Sequence, residues 1–266
     1  MTYKILETVT NYSVNCPIGY QMLKDNKFKF ITNPRQRPYY TKEELLNVIE
    51  DIDAVIAGID VFDEDIFKKA KKLKLIARNG LGIENIDLVK AKEYGIMVCN
   101  TRCSTNAVAE HALALILNLL RKIPLLSEGI KKGEWERYIG EELYNKTVGL
   151  LGFGMIPQSL AEKLSVFNCN IIAYDKFPNY KIAEKYNVKF TTFEEIITSS
   201  DIISVHLPGG KETRNLINTK VLTMMKQGSY LVNTARGSIV DEFAVYNALN
   251  SGRLSGFATD VFENEP

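Results

Sequence analysis

One stretch constrains the fold of this chain more than any other: Thr147-Val-Gly-Leu-Leu-Gly152-Phe-Gly154-Met155-Ile156-Pro157. An apolar strand runs into GxGxx and then into a helical segment, the opening of a βαβ unit built around a phosphate. At Gly152 the missing side chain permits the tight turn. At Gly154 it lets a pyrophosphate approach the amides that open the helix, those of Met155 and Ile156 among them. Asp175 closes the next apolar run, Ile171–Tyr174. From a strand end its carboxylate can accept hydrogen bonds from a ribose diol, and it repels a 2′-phosphate. Strand, glycines, helix, strand and acid in this order predict a dinucleotide-binding Rossmann domain with NAD as cofactor. The third glycine of the pattern is replaced by Pro157. Proline in a first helical turn loses no helical hydrogen bond, but its ring is expected to push the helix slightly away from the strand.

Apolar runs and polar helical stretches alternate through the whole chain, which predicts an α/β fold with parallel sheets. Tyr3–Leu6, Phe28–Ile31, Ala54–Ala57, Leu73–Ala77 and Ile96–Cys99 read as strands of a first sheet. Thr147–Leu151, Ile171–Tyr174, Ile202–Val205, Tyr230–Asn233 and Gly256–Thr259 read as strands of a second. Thr41-Lys-Glu-Glu44 has the pattern of a capping box, and Gly95 suits the left-handed residue that ends a helix. Between the two series lies Thr105–Arg121, a helix with almost no polar face, which Pro124 is expected to stop. A helix apolar on most sides is buried against a second domain or another subunit. The predicted organisation is therefore two doubly wound parallel-sheet domains, 1–103 and 104–266, the second of Rossmann type, with a homodimer as the expected assembly.

Composition narrows the function by exclusion. Lys plus Arg is 33 and Asp plus Glu is 32, a net charge of +1, so no nucleic-acid partner is expected. The greasiest segment, Ala112–Leu120, is too short to span a bilayer, and the charges in Met1-Thr-Tyr-Lys-Ile-Leu-Glu argue against a secretory signal. The expected location is the cytoplasm, with no membrane partner. Cys16, Cys99, Cys103 and Cys169 form no CxxC pair and stand beside only two histidines, so no metal site is expected and the cysteines read as buried free thiols.

From about Asp53 to Pro266 the chain resembles the NAD-dependent D-isomer-specific 2-hydroxyacid dehydrogenases, phosphoglycerate dehydrogenases among them. The resemblance rests on several motifs in one order. They are Ala77-Arg-Asn-Gly-Leu-Gly-Ile-Glu-Asn-Ile-Asp87, Ala107-Val-Ala-Glu-His-Ala112, Gly133-Glu-Trp-Glu-Arg137, the glycine turn, Ser204-Val-His-Leu-Pro208, Asn233-Thr-Ala-Arg-Gly237 and Asp260-Val-Phe-Glu-Asn-Glu-Pro266. It implies hydride transfer between a nicotinamide and the α-carbon of a D-2-hydroxy acid, in a cleft between the two domains. It implies that backbone amides of Asn79, Gly80, Leu81 and Gly82 hold the substrate carboxylate. Arg236 matches the catalytic arginine, whose planar fork grips carboxylate and carbonyl oxygen together. Glu265 matches the carboxylate that raises the pKa of a catalytic histidine, and Asp260 an acid that meets the nicotinamide carboxamide. His206 and Pro208 match cofactor-side positions, as do Thr234 and Ala235. His111, inside the apolar helix, reads as a core or interface histidine.

In that family the acid/base histidine lies some way past the Glu-Pro motif, in a Pro-His segment, together with a final return to the first domain. The sequence runs to Pro266, and neither His111 nor His206 matches that position. The favoured reading is an incomplete chain. The alternatives are an NAD(H)-binding sensor or corepressor-like module without turnover, and an enzyme that recruits a different acid. For the substrate, Val-Ile-Ala-Gly58 stands where phosphoglycerate-using relatives often carry an arginine, so Arg35, Arg37 or Arg78 would have to replace that phosphate partner. 3-Phosphoglycerate stays among the possible substrates.

Overall fold

The computed structural model describes residues 2–34, 37–101 and 105–265. The chain divides into two units, Met1–Cys103 and Ser104–Pro266. Arg35 and Cys103 lie outside the described residues.

In the first unit the elements run β1 (Lys4–Glu7), α1 (Tyr12–Asn15), α2 (Pro17–Asp25), β2 (Lys29–Ile31), α3 (Lys42–Val48), β3 (Ala54–Ala57), α4 (Glu64–Lys69), β4 (Leu75–Arg78), α5 (Leu88–Glu93) and β5 (Met97–Asn100). The strands pair in parallel in the order β2-β1-β3-β4-β5. Leu6, Leu45, Ile49, Phe62, Ile66, Phe67 and Ile76 form its dry core. Fully burying one such side chain contributes roughly 1.5–3 kcal/mol. The capping box at Thr41 is formed in both directions with Glu44, and Gly95 takes φ +70° after α5. Buried Asp60 accepts hydrogen bonds from Thr8, Tyr40 and Gly58, so one carboxylate ties together the loops at the carboxyl ends of β1 and β3. Desolvation raises its pKa above the ordinary carboxylate value despite these donors.

The second unit continues with α6 (Thr105–Arg121), α7 (Ile123–Lys131), β6 (Thr147–Leu151), α8 (Met155–Leu164), β7 (Asn170–Tyr174), α9 (Tyr180–Lys185), β8 (Val188–Phe190), α10 (Phe193–Ser199), β9 (Ile202–Val205), α11 (Thr219–Met224), β10 (Ser229–Asn233), α12 (Glu242–Asn250) and β11 (Leu254–Thr259). Its parallel sheet has the order β11-β10-β9-β6-β7-β8. Strands β9 and β10 are buried along their whole length and β6 nearly so, which is why they read as unbroken apolar runs. Strand order reverses between β6 and β9, and their carboxyl ends open the crevice where such sheets bind ligands.

Several expectations need correction. Helix α6 is not buried all round. Ala109, Ala112, Ile116 and Leu120 form one buried face packed on α8, β10 and β11, while Glu110, His111 and Ala114 face solvent. Its apolar stripe is satisfied inside its own unit and demands no partner subunit. Pro124 does not simply end this helix. Lys122, at φ 53°, breaks the backbone, and Pro124 sits in the first turn of α7, where proline costs no hydrogen bond. Pro157 is likewise accommodated, buried at the third position of α8. The close approach of sheet and helix comes elsewhere, at Gly149, where a Cβ would stand 2.2 Å from Ser200 Oγ and 2.9 Å from Ile196 on α10. Strand β8 has no counterpart in the sequence reading, since three residues, Val-Lys-Phe, carry too little periodicity. The described cysteines are not buried: Cys16 and Cys169 are half-buried and Cys99 is exposed.

Candidate functional site

The glycine turn forms because β6 ends in a conformation that only glycine takes without strain. Gly152 has φ +96°, and a Cβ there would lie 2.7 Å from the carbonyl oxygen of His206, at the end of β9. Gly154 has no such constraint from the protein. It is the N-cap of α8 at φ −72°, and a Cβ there would meet nothing within 4 Å among the described residues. The amide of Gly152 donates to the Tyr174 carbonyl at 2.8 Å. Asp175 completes the junction: one carboxylate oxygen accepts from Phe153 N–H at 2.6 Å and the other from Phe177 N–H at 2.7 Å. A cavity of about 820 Å³ opens here, lined by Gly152, Gly154, Asp175, His206 and Pro208. Tyr174, Phe177, Phe193, Leu207 and Leu216 give it apolar walls that sequence reasoning did not single out, with Tyr174 and Phe193 in edge-to-face contact at 5.8 Å. Tyr174 and Leu207 sit at or just past strand ends, and the other three carry no sequence signal. Met155 and Ile156 open α8 beside the cavity without lining it.

After β10 the chain turns through Thr234, Ala235 and Arg236, and Asn233 holds that turn. Its side chain accepts the Ala235 amide at 3.1 Å and donates to the Arg236 carbonyl at 2.9 Å. Half-buried Arg236 donates from Nη1 to the Ala235 carbonyl at 2.7 Å, and its stem lies against Gly209, next to Pro208. The Thr234 hydroxyl is buried with no hydrogen-bond partner among the described residues. Gly237 packs so tightly on the Phe262–Glu263 backbone that a Cβ would fall 1.9 Å from the Phe262 carbonyl carbon. The two motifs are therefore locked together. Exposed Glu265 accepts the Phe262 amide at 3.1 Å. Asp260 is also exposed, and its carboxylate stands 3.5 Å from Nε2 of His111. His111 is thus a surface residue beside the Asp260 carboxylate and not the core residue that the apolar helix suggested.

His206 shares a 2.8 Å hydrogen bond between its Nε2 and Ser204 Oγ, and burial pushes its pKa down to about 4. A base with a lowered folded pKa weakens the fold in acid, because below its ordinary value of 6.5 the unfolded chain takes the proton first. Stability should be complete above pH 6.5, fall between pH 6.5 and 4, and level off below. The ring is half-buried, so the loss is on the order of 2–3 kcal/mol. Urea melts at pH 7.5 and pH 5 check this: His206→Asn should reduce the difference between the two, and an unchanged difference would refute it.

In the first unit, Gly80 has φ +149° and its amide is already used, donating to Thr101 Oγ1 at 2.9 Å and to the Arg78 carbonyl at 3.0 Å. The Asn79 amide donates to the Ala57 carbonyl. Of the four loop amides expected to face an anion, those two are therefore committed internally, and only those of Leu81 and Gly82 have no partner among the described residues. Arg37 is engaged by Glu44, and Arg78 by the Asn79 carbonyl. Among the described residues no cluster could hold a metal ion, and no helix is long and apolar enough to cross a membrane.

Residues 113–266 match the sequence profile of the D-isomer specific 2-hydroxyacid dehydrogenase, NAD binding domain. The chain belongs to this family. A hydroxypyruvate reductase of Thermotoga maritima is 41% identical over 229 residues, covering 85% of this chain and 74% of that protein. A D-3-phosphoglycerate dehydrogenase of Archaeoglobus fulgidus is 40% identical over 230 residues, 85% of this chain but 44% of the relative. The chain spans less than half the length of the D-3-phosphoglycerate dehydrogenases it matches, 39–44%. The crystal structure of D-lactate dehydrogenase from Aquifex aeolicus, complexed with NAD and lactic acid, superposes with a TM-score of 0.83 at 31% identity. It covers 98% of this chain and 77% of its own. As a member of this family, matched over its NAD binding domain, the chain has NAD as its cofactor. The groove fits that group: Gly154 leaves open a space that any side chain would fill, and after β10 the Thr234 hydroxyl is a buried polar atom with no hydrogen-bond partner among the described residues.

Proposed function

We propose that this D-2-hydroxyacid dehydrogenase moves a hydride between nicotinamide and the α-carbon of a small D-2-hydroxy or 2-keto acid. The observation that carries the reading is the cavity at the β6/β9 crevice, lined by Gly152, Gly154, Asp175 and Pro208, with the Arg236 stem packed on Gly209, the residue after Pro208. NAD, when bound, supplies the hydride acceptor or donor. The amides of Gly154, Met155 and Ile156 bind pyrophosphate at the helix N-terminus, and Asp175 orients the adenosine ribose. The apolar walls exclude water around the flat adenine ring. His206 and Pro208 shape the cofactor groove, Thr234 and Ala235 flank the nicotinamide, and Asp260 holds its carboxamide. Arg236 polarises the substrate carbonyl. Within the first unit, the Leu81 and Gly82 amides suit a carboxylate. Glu265 supports proton transfer electrostatically. With its ring held neutral, His206 is a poor proton donor near pH 7 and takes no part in that transfer.

The substrate class is supported by relatives named for the 2-keto acids glyoxylate and hydroxypyruvate and for the 2-hydroxy acid phosphoglycerate. A cytoplasmic site of action is supported by the unpaired thiols of Cys16, Cys99 and Cys169. The test is an NADH fluorescence titration. The wild-type protein should bind NADH in preference to NADPH, and Asp175→Ala should weaken NADH binding about 10–100-fold, the loss of a charged hydrogen-bond partner. A well-folded protein that binds no NADH would overturn the reading.

We also propose a homodimer, supported by α7 and the stretch after it rather than by α6. Leu125, Ile130, Trp135 and Ile139 are all more than half exposed there, Trp135 at 84% and Ile139 at 89%. Sedimentation at micromolar concentration should give a dimer, and a double variant Trp135→Glu, Ile139→Glu a monomer. A wild-type monomer sinks the idea.

A further inference from the structure

Asp175 is followed by a second charge at the cavity. Lys176 and Glu212 both line it, and the Lys176 ammonium lies 2.5 Å from Glu212 Oε2 across 36 residues of sequence. Each partner answers the other: the lysine pKa is raised by the carboxylate, and that of Glu212 is lowered by the ammonium. Both side chains are mostly exposed, at 63% and 80%, so the pair costs little to break and its value lies in charge placement. Resting on the cofactor reading above, we infer that Glu212 is a specificity-determining residue that masks Lys176, keeping a cation beside the ribose-binding acid from serving as a 2′-phosphate anchor.

The reasoning is electrostatic. The wall carries Asp175 and Glu212 against Lys176, a net charge of −1 with the one cation already paired. A 2′-phosphate brings a further charge of about −1.5 to −2 near neutral pH. It would meet net repulsion and a lysine whose best donor geometry is taken. Without the Glu212 charge the same wall is neutral and its ammonium is available, while the apolar lining and the glycine turn are untouched. Lysine grips phosphate as a compact point charge, so freeing it is enough and no fixed geometry is needed.

The experiment is a pair of fluorescence titrations, NADH and NADPH, on wild type, Glu212→Gln and the double variant Glu212→Gln, Lys176→Met. The ratio of NADPH to NADH affinity should rise about tenfold in Glu212→Gln, one well-placed charge contact. It should return to within twofold of wild type in the double variant, and the rise should shrink as salt increases. A ratio that moves less than twofold in the single variant overturns the inference, as does a rise that survives loss of Lys176. Both failures leave wild-type NADH binding, and with it the cofactor reading, standing. Absence of any NADH binding would overturn both.

Discussion

Arg236→Gln is expected to lower kcat/KM for reduction of a small 2-keto acid such as glyoxylate by about 10²–10³, the loss typical of removing one preorganised donor from a developing oxyanion. The arginine is half-buried and its backbone is fixed on both sides, by Asn233 from below and by the Gly237–Phe262 packing after it. In the proposed reaction its guanidinium would therefore need little reorganisation as charge develops on the carbonyl oxygen. Arg236→Lys should recover only a small part of the loss, because a point charge cannot contact carboxylate and carbonyl with two parallel donors. Steady-state rates with NADH, alongside NADH titration of the same variants, check this. A loss confined to cofactor affinity, with kcat intact, would move Arg236 from the chemistry to cofactor binding.

The parts legible in the sequence were those whose physics is local. Strands β3, β6 and β9 fall on the residues that continuous apolar runs mark, because both faces of an inner parallel strand are covered. The Thr41 capping box and the Gly152 turn are likewise written within a few residues, the first in hydrogen-bonding capacity and the second in a backbone angle. What escaped notice depends on partners distant in the chain. Nothing near Gly237 says that its missing Cβ makes room for the Phe262 backbone, and nothing near Gly149 says that α10 crosses it. His111 looked internal because its neighbours Ala109, Ala112 and Leu113 are apolar, yet its own direction on α6 is toward Asp260 and solvent. Two loop amides looked available in Asn79-Gly-Leu-Gly82 but belong to Ala57, on β3, and Thr101, just after β5, which only the fold brings alongside. Apolar cavity walls such as Phe177 and Leu216 carry no motif at all, since any flat hydrophobic surface serves a flat ring.

The two glycines of the turn make separable demands, and a pair of alanine variants should divide them. Gly152→Ala places a Cβ at φ +96°, a left-handed angle that costs a residue with a side chain roughly 1–2 kcal/mol. It also presses that atom to 2.7 Å from the His206 carbonyl oxygen and 3.0 Å from its carbon, both backbone, so no side chain can swing away. The turn must shift, which strains the Gly152–Tyr174 and Phe153–Asp175 hydrogen bonds that fix the acid over the glycine loop. The melting midpoint should drop by roughly 5–10 °C, a cost of some 2–4 kcal/mol in a unit of this size, with NADH binding lost about 100-fold or more. Gly154→Ala meets no atom within 4 Å at an ordinary backbone angle, so its midpoint should stay within about 1 °C of wild type. Only the space above α8 is reduced, and NADH affinity should fall about tenfold or more through that loss alone. Calorimetry and NADH titration on the two variants read these effects independently. If Gly154→Ala bound NADH as tightly as wild type, the helix N-terminus would not be where the pyrophosphate sits, and the cofactor would have to approach the crevice from the β9 side instead.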